Sequence, residues 1–364
     1  MMIPAAPVKI LAFYLPQYHP IPENDSWWGK GFTEWTNVAR AKPLFKNHHQ
    51  PNLPGELGFY DLRVPEVREA QADLARTYGI DGFCYWHYWF GNGKQLLERP
   101  FQEILRSGNP DFPFCLAWAN QSWTGIWHGL QNQVLIEQLY PGEKDYIDHF
   151  YHVLRAFRDP RYIIIKNKPV FVVFTPDCLP DPPRFTMLWN ELAMKEGFDG
   201  IFFIGIHQLY WEHKKDGFDE KTIHQPGQIV DVYNAKKPKE KFPFLMNRSK
   251  KSRPEIFPYR GLVESYDCCA FEEKDFIPTI VPGWDNTPRS RYSGWVFHGS
   301  TPELFKQHLR NGIDHVVKRK PGEKILFIKS WNEWAEGNYL EPDARWGRAY
   351  LEALAEVKNS FSIV

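Results

Sequence analysis

Eight short apolar runs, each bounded by turn-forming residues and most followed by an amphipathic stretch, constrain this chain more than any other feature. They are Lys9–Tyr14, Gly82–Trp86, Phe114–Trp118, Val170–Phe174, Ile201–Ile206, Ile229–Tyr233, Thr279–Val281 and Ile325–Lys329. Between them the patterning predicts helices over Pro65–Tyr78, Gln95–Arg106, Glu143–Arg158, Arg184–Glu196 and Thr301–Val317. Pro65 at the start and Gly79 just past the end of the first helix fit the usual asymmetry of helix termini. Continuous apolar strands alternating with helices imply a parallel sheet covered on its outer side. Eight is the strand number of a (β/α)8 barrel, and loop insertions bring such barrels to the 364 residues found here. An open, doubly wound sheet shares this alternation, and periodicity alone does not separate the two.

The placement of polar and aromatic residues favours the barrel. Tyr14, Gln17 and His19 follow the first run, and Trp86, His87, Tyr88 and Trp89 end and follow the second. Trp118, Asn120, Gln121 and Trp123 come with the third, His207 and Gln208 with the fifth, Trp284, Asp285 and Asn286 with the seventh, and Trp331 to Glu336 with the eighth. In a parallel barrel these points share one rim, where such barrels carry their chemistry. The expected organisation is one barrel over residues 1–364, with an aromatic-rich loop at about 24–60 and an exposed insertion at about 234–260. Within the loop, Trp27, Trp28, Phe32 and Trp35 are too many aromatics for a free segment and should cover the barrel mouth. Lys236–Pro254, rich in Lys and Pro, reads as solvated.

Lys plus Arg equal Asp plus Glu at 44 each, so charge gives no reason to expect nucleic acid or an anionic membrane as partner, and a neutral ligand fits better. Aromatics reach 16% with 15 Trp. Sugar rings present C–H faces that lie against indole and phenol rings, leaving the N–H or O–H for hydroxyls; any single Trp can also be plain core. The five cysteines, Cys84, Cys115, Cys178, Cys268 and Cys269, lack metal-type spacing and read as buried free thiols of a reducing compartment. No apolar run approaches a membrane span and Met1–Val8 does not resemble a signal peptide, so the expected location is cytoplasmic. His48 and His49 are adjacent on a loop and no histidine pair has HExxH-like spacing, so neither a metal nor another cofactor is expected.

Glu333 and Glu336 stand three apart where the last strand ends, followed by Gly337. On a continued strand they would face opposite sides; on a tight or helical turn they lie side by side. Two carboxyls side by side between Trp331 and Trp334 repel each other and lose hydration, which raises the pKa of one and leaves an acid beside a base. Glycosidic cleavage requires that pair. A helix-start acid is the simpler alternative for either position.

Several longer motifs resemble those of the WbsX-like family, which is related to the family 99 glycoside hydrolases, the endo-α-mannosidases. They are Trp27-Trp28-Gly-Lys-Gly-Phe-Thr-Glu34-Trp35-Thr-Asn37-Val38, the run from Gly79 to Phe90, Trp118-Ala-Asn120, Gly283-Trp284-Asp-Asn-Thr-Pro-Arg289, and Trp331-Asn-Glu-Trp-Ala-Glu-Gly337 with Leu340-Glu-Pro-Asp343. The similarity runs from near Lys9 to about Leu354. It implies a (β/α)8 barrel and a retaining, substrate-assisted route: Glu333 deprotonates the sugar's own 2-hydroxyl, which attacks the anomeric carbon, and Glu336 protonates the leaving group. Such assistance departs from the common two-carboxylate scheme. Where many relatives have Trp-Ala-Asn-Glu, this chain has Gln121, which binds hydroxyls but does not titrate. Sugar binding is assigned to Tyr14, Gln17, Trp86, His87, Asn120, Gln121, Trp123, His207, Trp284 and Asn332.

The expected activity is hydrolysis of an α-linked glycan, mannose-containing or a bacterial surface polysaccharide. The alternative is a glycosyltransferase of polysaccharide or O-antigen synthesis. Against it, the chain has no Asp-Xaa-Asp and no G-x-G-x-x-G to hold a nucleotide diphosphate. A barrel that only binds carbohydrate is a third reading, but it would keep the aromatic rim without needing both glutamates.

Overall fold

The computed structural model describes residues 8–125, 134–207, 211–223, 253–267, 275–319 and 323–362. Eight parallel strands form the central sheet: β1 Lys9–Tyr14, β2 Gly82–His87, β3 Phe114–Trp118, β4 Lys168–Val173, β5 Phe202–Ile206, β6 Glu220–Thr222, β7 Thr279–Ile280 and β8 Ile325–Ile328. Their order is β7-β8-β1-β2-β3-β4-β5-β6. A parallel bridge from Thr222 to Ile277 joins the two outer strands, so the sheet closes into a (β/α)8 barrel. The strands are short and apolar because both faces are covered, one by the barrel interior and the other by helices.

β6 departs from the expected pattern. Ile229–Tyr233, predicted as the sixth strand, lies outside the described residues, and Glu220-Lys-Thr222 pairs with β5 instead. All three of its side chains are buried, and each is neutralised or bonded locally. Glu220 meets the guanidinium of Arg319, Lys221 donates to the Trp211 carbonyl at 3.1 Å, and the Thr222 hydroxyl donates to the Ile277 carbonyl at 2.7 Å. A polar strand of this kind gives no hydropathy signal. The Lys- and Pro-rich residues 236–252 also lie outside the described residues, while Tyr259–Asp267 is helical.

The helices on the outer face include α3 Pro65–Tyr78, α4 Arg99–Ser107, α5 Glu143–Phe157, α6 Pro182–Lys195, α8 Pro302–Lys318 and α9 Ala349–Ser362; α7 is Tyr259–Asp267. Thr301 and Asp181 cap α8 and α6 by accepting from Leu304 N and Arg184 N. Gly79 ends α3 at φ +95°. No helix among the described residues is long and apolar enough to cross a membrane.

Strand parity decides which side chains point where. In β1, Phe13 faces the interior, stacking on Trp86 and Phe327, while the next residue, Tyr14, faces outward and donates to Gln71 of α3 at 2.7 Å. In β2, Trp86 faces inward and His87 outward, against His149 of α5. The aromatic-rich loop after β1 holds α1 Pro22–Trp28 and α2 Glu34–Arg40. Trp35 of α2 is buried on Tyr18, Tyr60 and Trp334. A three-stranded sheet of Glu255–Pro258, Trp295–His298 and Trp284–Asp285 lies between β6 and β8 in sequence, with its own apolar cluster around Phe257, Tyr259 and Phe297. Cys84 and Cys115 are buried neighbours on β2 and β3, but Cys178 is exposed, contrary to its sequence reading as a buried thiol; Cys268 and Cys269 lie outside the described residues.

Thr222 supports the closing seam through its bond to Ile277 and its contact with Thr279 Oγ1 at 2.8 Å. Thr222→Val leaves that buried carbonyl short of a donor, and we expect a loss of about 1–3 kcal/mol in urea unfolding. An unchanged midpoint would mean the seam does not depend on this hydroxyl.

Candidate active site

The stretch after β8 forms a small hairpin, Asn332–Glu333 pairing with Asn338–Tyr339 around a 3-10 turn at Trp334–Glu336. A 3-10 turn repeats every three residues, so side chains at i and i+3 eclipse. Glu333 and Glu336 therefore fall side by side and share a side-chain hydrogen bond. Gly337 closes the turn at φ +57°, and a Cβ there would come within 2.8 Å of Asp285. Conformation and space both require glycine.

Each glutamate has a cation, Lys329 buried and Arg289 largely so. Lys329, at the end of β8, places Nζ 3.4 Å from Glu333 Oε2 and 5.2 Å from the centre of the Trp284 ring. Arg289 donates from Nη1 to Glu336 Oε1 at 2.6 Å and from Nε to Glu34 Oε2 at 3.1 Å. Even so, burial, followed by the charge of Glu333, pushes Glu336 up to about 8, outweighing the pull of Arg289 and Lys329 in the other direction. Burial also raises Glu34 against the pull of Arg289. The turn thus presents a carboxyl that holds its proton at neutral pH beside one paired with an ammonium.

The backbone of the turn is fixed from behind. Asn332 Oδ1 accepts from Leu15 N at 2.8 Å, and the Tyr18 hydroxyl donates to the Asn332 carbonyl while accepting from Trp334 N. Glu341 is buried, and burial pushes it up to about 7. It accepts from Trp334 Nε1 at 2.6 Å, Gln71 Nε2 at 2.6 Å and Tyr60 Oη at 2.8 Å.

In front of the turn lies a cavity of about 190 Å³ at the C-terminal rim. Of the residues expected to act, Gln17, Trp86, Gln121, Trp123, Trp284, Glu333 and Glu336 line it. Five others lie elsewhere. Tyr14 and His87 point out of the barrel, and burial pushes His87 down to about 3. Asn120 ties the loops after β3 and β4 through Thr175, with 2.8 Å bonds to its N and O. His207 pairs with Asp177 and stacks on Trp211, and Asn332 serves the backbone of the turn.

The structure adds Trp28, Glu34, Tyr88, Arg289 and Lys329 to the lining. Glu34 and Arg289 stand inside motifs already singled out, and a lysine ending an apolar strand was a signal in its own right. Asn24 of α1 also lines the cavity, fully buried, with neither amide atom bonded to a described residue. That amide can both donate to and accept from a ligand hydroxyl. A further cluster, His213, Glu220 and Asp275, lies at the opposite end of the barrel, where Arg319 already bonds both carboxylates.

Residues 10–354 match the model of the family described as Glycosyltransferase WbsX. The chain is 38% identical over 353 residues to the uncharacterized protein WxcX of Xanthomonas campestris pv. campestris, in two strains. The match takes in 95% of this chain and 49% of WxcX, so the chain spans about half the length of that relative. Its fold is similar to a GH99 endo-α-mannosidase from Bacteroides thetaiotaomicron, with TM-score 0.59, 15% identity and coverage of 98% of this chain and 97% of that one. It is also similar to a glycoside hydrolase-like protein, with TM-score 0.61, 14% identity and coverage of 98% and 95%.

Replacing Arg289 by Met should destabilise the fold by about 3 kcal/mol at neutral pH, because the buried Glu34 loses its cation and Glu336 loses its charged hydrogen-bond donor. Urea denaturation reads this, and a midpoint within error of the parent would show that the ion pairs are not structural. With its family motifs now located around one cavity, and a family model spanning residues 10–354, the chain belongs to the WbsX family.

Proposed function

We propose that this chain is a carbohydrate-active enzyme that hydrolyses an α-linked glycan, mannose-containing or a bacterial surface polysaccharide, with retention at the anomeric carbon. The observation that carries this reading is Glu336, an acid holding its proton up to about 8 in hydrogen-bond contact with Glu333. Trp86, Trp123 and Trp284 supply sugar-binding surface around the pair, and Gln17, Asn24 and Gln121 supply neutral hydrogen-bonding groups.

In the first step Glu333 takes the proton of the sugar's 2-hydroxyl, O2 attacks C1, and Glu336 gives its proton to the departing glycosidic oxygen. The product is a 1,2-anhydro sugar. Water then opens it: Glu336, now a carboxylate, takes a proton from water, the resulting hydroxide bonds to C1, and Glu333 returns its proton to O2. Two inversions give net retention. Gln121, exposed at the cavity edge, binds hydroxyls in this scheme and takes no part in proton transfer.

The family description supports a second reading, glycosyl transfer. The same steps accommodate it if a sugar hydroxyl replaces water in the second half.

Incubation with a panel of α-mannans and bacterial polysaccharides should release reducing ends, or new glycosides when an acceptor is present. Glu333→Gln and Glu336→Gln should each lower the rate by about 10²–10⁴-fold; release that survives both would remove the pair from the mechanism. The pH dependence follows from Glu336, which is competent only while protonated. The rate of the parent should therefore fall as pH rises through about 8, and a rate still climbing at pH 9 would show that Glu336 is not the acid.

A further inference from the structure

Beside the catalytic cavity lies a second one, of about 320 Å³, behind the wall made by Trp284, Asp285 and Gly337. Ligand pockets occupy roughly 300–1,000 Å³, so this one is large enough to matter. The reading above assigns it nothing.

Its charges are unevenly committed. Three carboxylates stand in its wall, and all are taken by protein donors. Asp285 accepts from His48 Nε2, Gln50 Nε2, and the backbone and hydroxyl of Thr287. Asp343 accepts from the Tyr339 hydroxyl and from the backbone of Arg345 and Trp346. Glu341 carries its three bonds from Trp334, Gln71 and Tyr60. Of the basic side chains lining the same space, His48 is bonded to Asp285, whereas Arg345, His49 and His298 have no hydrogen bond or ion pair to a described residue. The guanidinium of Arg345 lies over the Trp346 ring, 4.8 Å from its centre, which holds its plane while leaving its N–H edge open. Such an edge matches a carboxylate or phosphate with two parallel bonds. Ser300 and Tyr350, whose hydroxyls lie 2.8 Å apart, and Asn52 offer partners for ring hydroxyls on the same lining.

We propose that this cavity binds a sugar unit bearing an acidic substituent, held by Arg345 with His49 and His298 around it. The site stands on the uncommitted guanidinium of Arg345 and the unbonded rings of His49 and His298 beside it, while the choice of a sugar as the rest of the ligand rests on the carbohydrate reading of the neighbouring cavity. The substrate class it names is an acidic glycan: a neutral unit at the glutamates and an acidic unit or branch on the far side of Trp284.

The test uses the full chain with 15N-labelled tryptophan, the Trp346 indole signal being identified by Trp346→Phe. Titration with glucuronate and with glucose 6-phosphate should move that signal, the tighter of the two naming the acidic group, with glucose at least tenfold weaker. Arg345→Gln, at an exposed position without an ion pair, should weaken the acidic ligands by about tenfold or more, and Glu333→Gln should leave them unchanged. Equal binding of glucose and glucuronate, or full binding to the Arg345→Gln protein, would overturn the proposal. Acidic-sugar binding in a chain that cleaves no glycan would keep this site and sink the hydrolase reading; cleavage without such binding would do the reverse.

Discussion

One largely buried guanidinium holds this rim together. Arg289 reaches from the loop after β7 to Glu34 on α2, behind β1, and to Glu336 on the turn behind β8. Both partners have little exposed surface, and the guanidinium gives each buried carboxyl a charged donor. With one oxygen of Glu336 fixed by Arg289, its carboxyl stays beside Glu333 and its proton is held by burial and by repulsion from that neighbour. The chemistry proposed for the site is a consequence of how three loops share one cation.

Around that cation the chain uses rigid supports. The 3-10 turn sets the two glutamates in register, Gly337 lets Asp285 approach without a Cβ in the way, and Asp285 in turn is held by His48 and Gln50 from the loop before α3. Trp284 sits on a small sheet with a separate apolar cluster, so its ring does not depend on the barrel wall alone. The result is a site whose polar members have few alternative arrangements.

Much of this was legible in the residues. Apolar runs placed seven of the eight strands within a residue or two, and the Glu-Xaa-Xaa-Glu-Gly pattern anticipated a turn with neighbouring carboxyls. The sixth strand escaped because two of its three residues, Glu220 and Lys221, are charged, and the Arg319 that meets Glu220 stands 99 positions away, where no local pattern reports it. Tyr14 and His87 came out on the wrong side of the barrel wall for an avoidable reason: each follows an interior aromatic, Phe13 or Trp86, and alternation sends the next side chain outward. Asn332 and Asn120 are polar rim residues spent on holding backbone. Their amides are the same as those of a ligand-binding asparagine, and only the fold tells the two apart. Glu34 and Arg289, 255 residues apart in sequence, gave no sign of being partners.

The bonds that shape the acidic turn have a bearing on how the protein is made. Leu15 meets Asn332 across 317 positions, Tyr18 meets Trp334 across 316, and Tyr60 meets Glu341 across 281. On the ribosome the early rim therefore waits, its buried donors and acceptors unmet, until residue 341 has emerged from the exit tunnel. Contacts so distant form late and close the fold rather than begin it. A nascent chain carries Trp28, Trp86 and Trp123 of the cavity wall long before it carries Glu333 and Glu336, so the cavity is complete only once the stretch after β8 has been made.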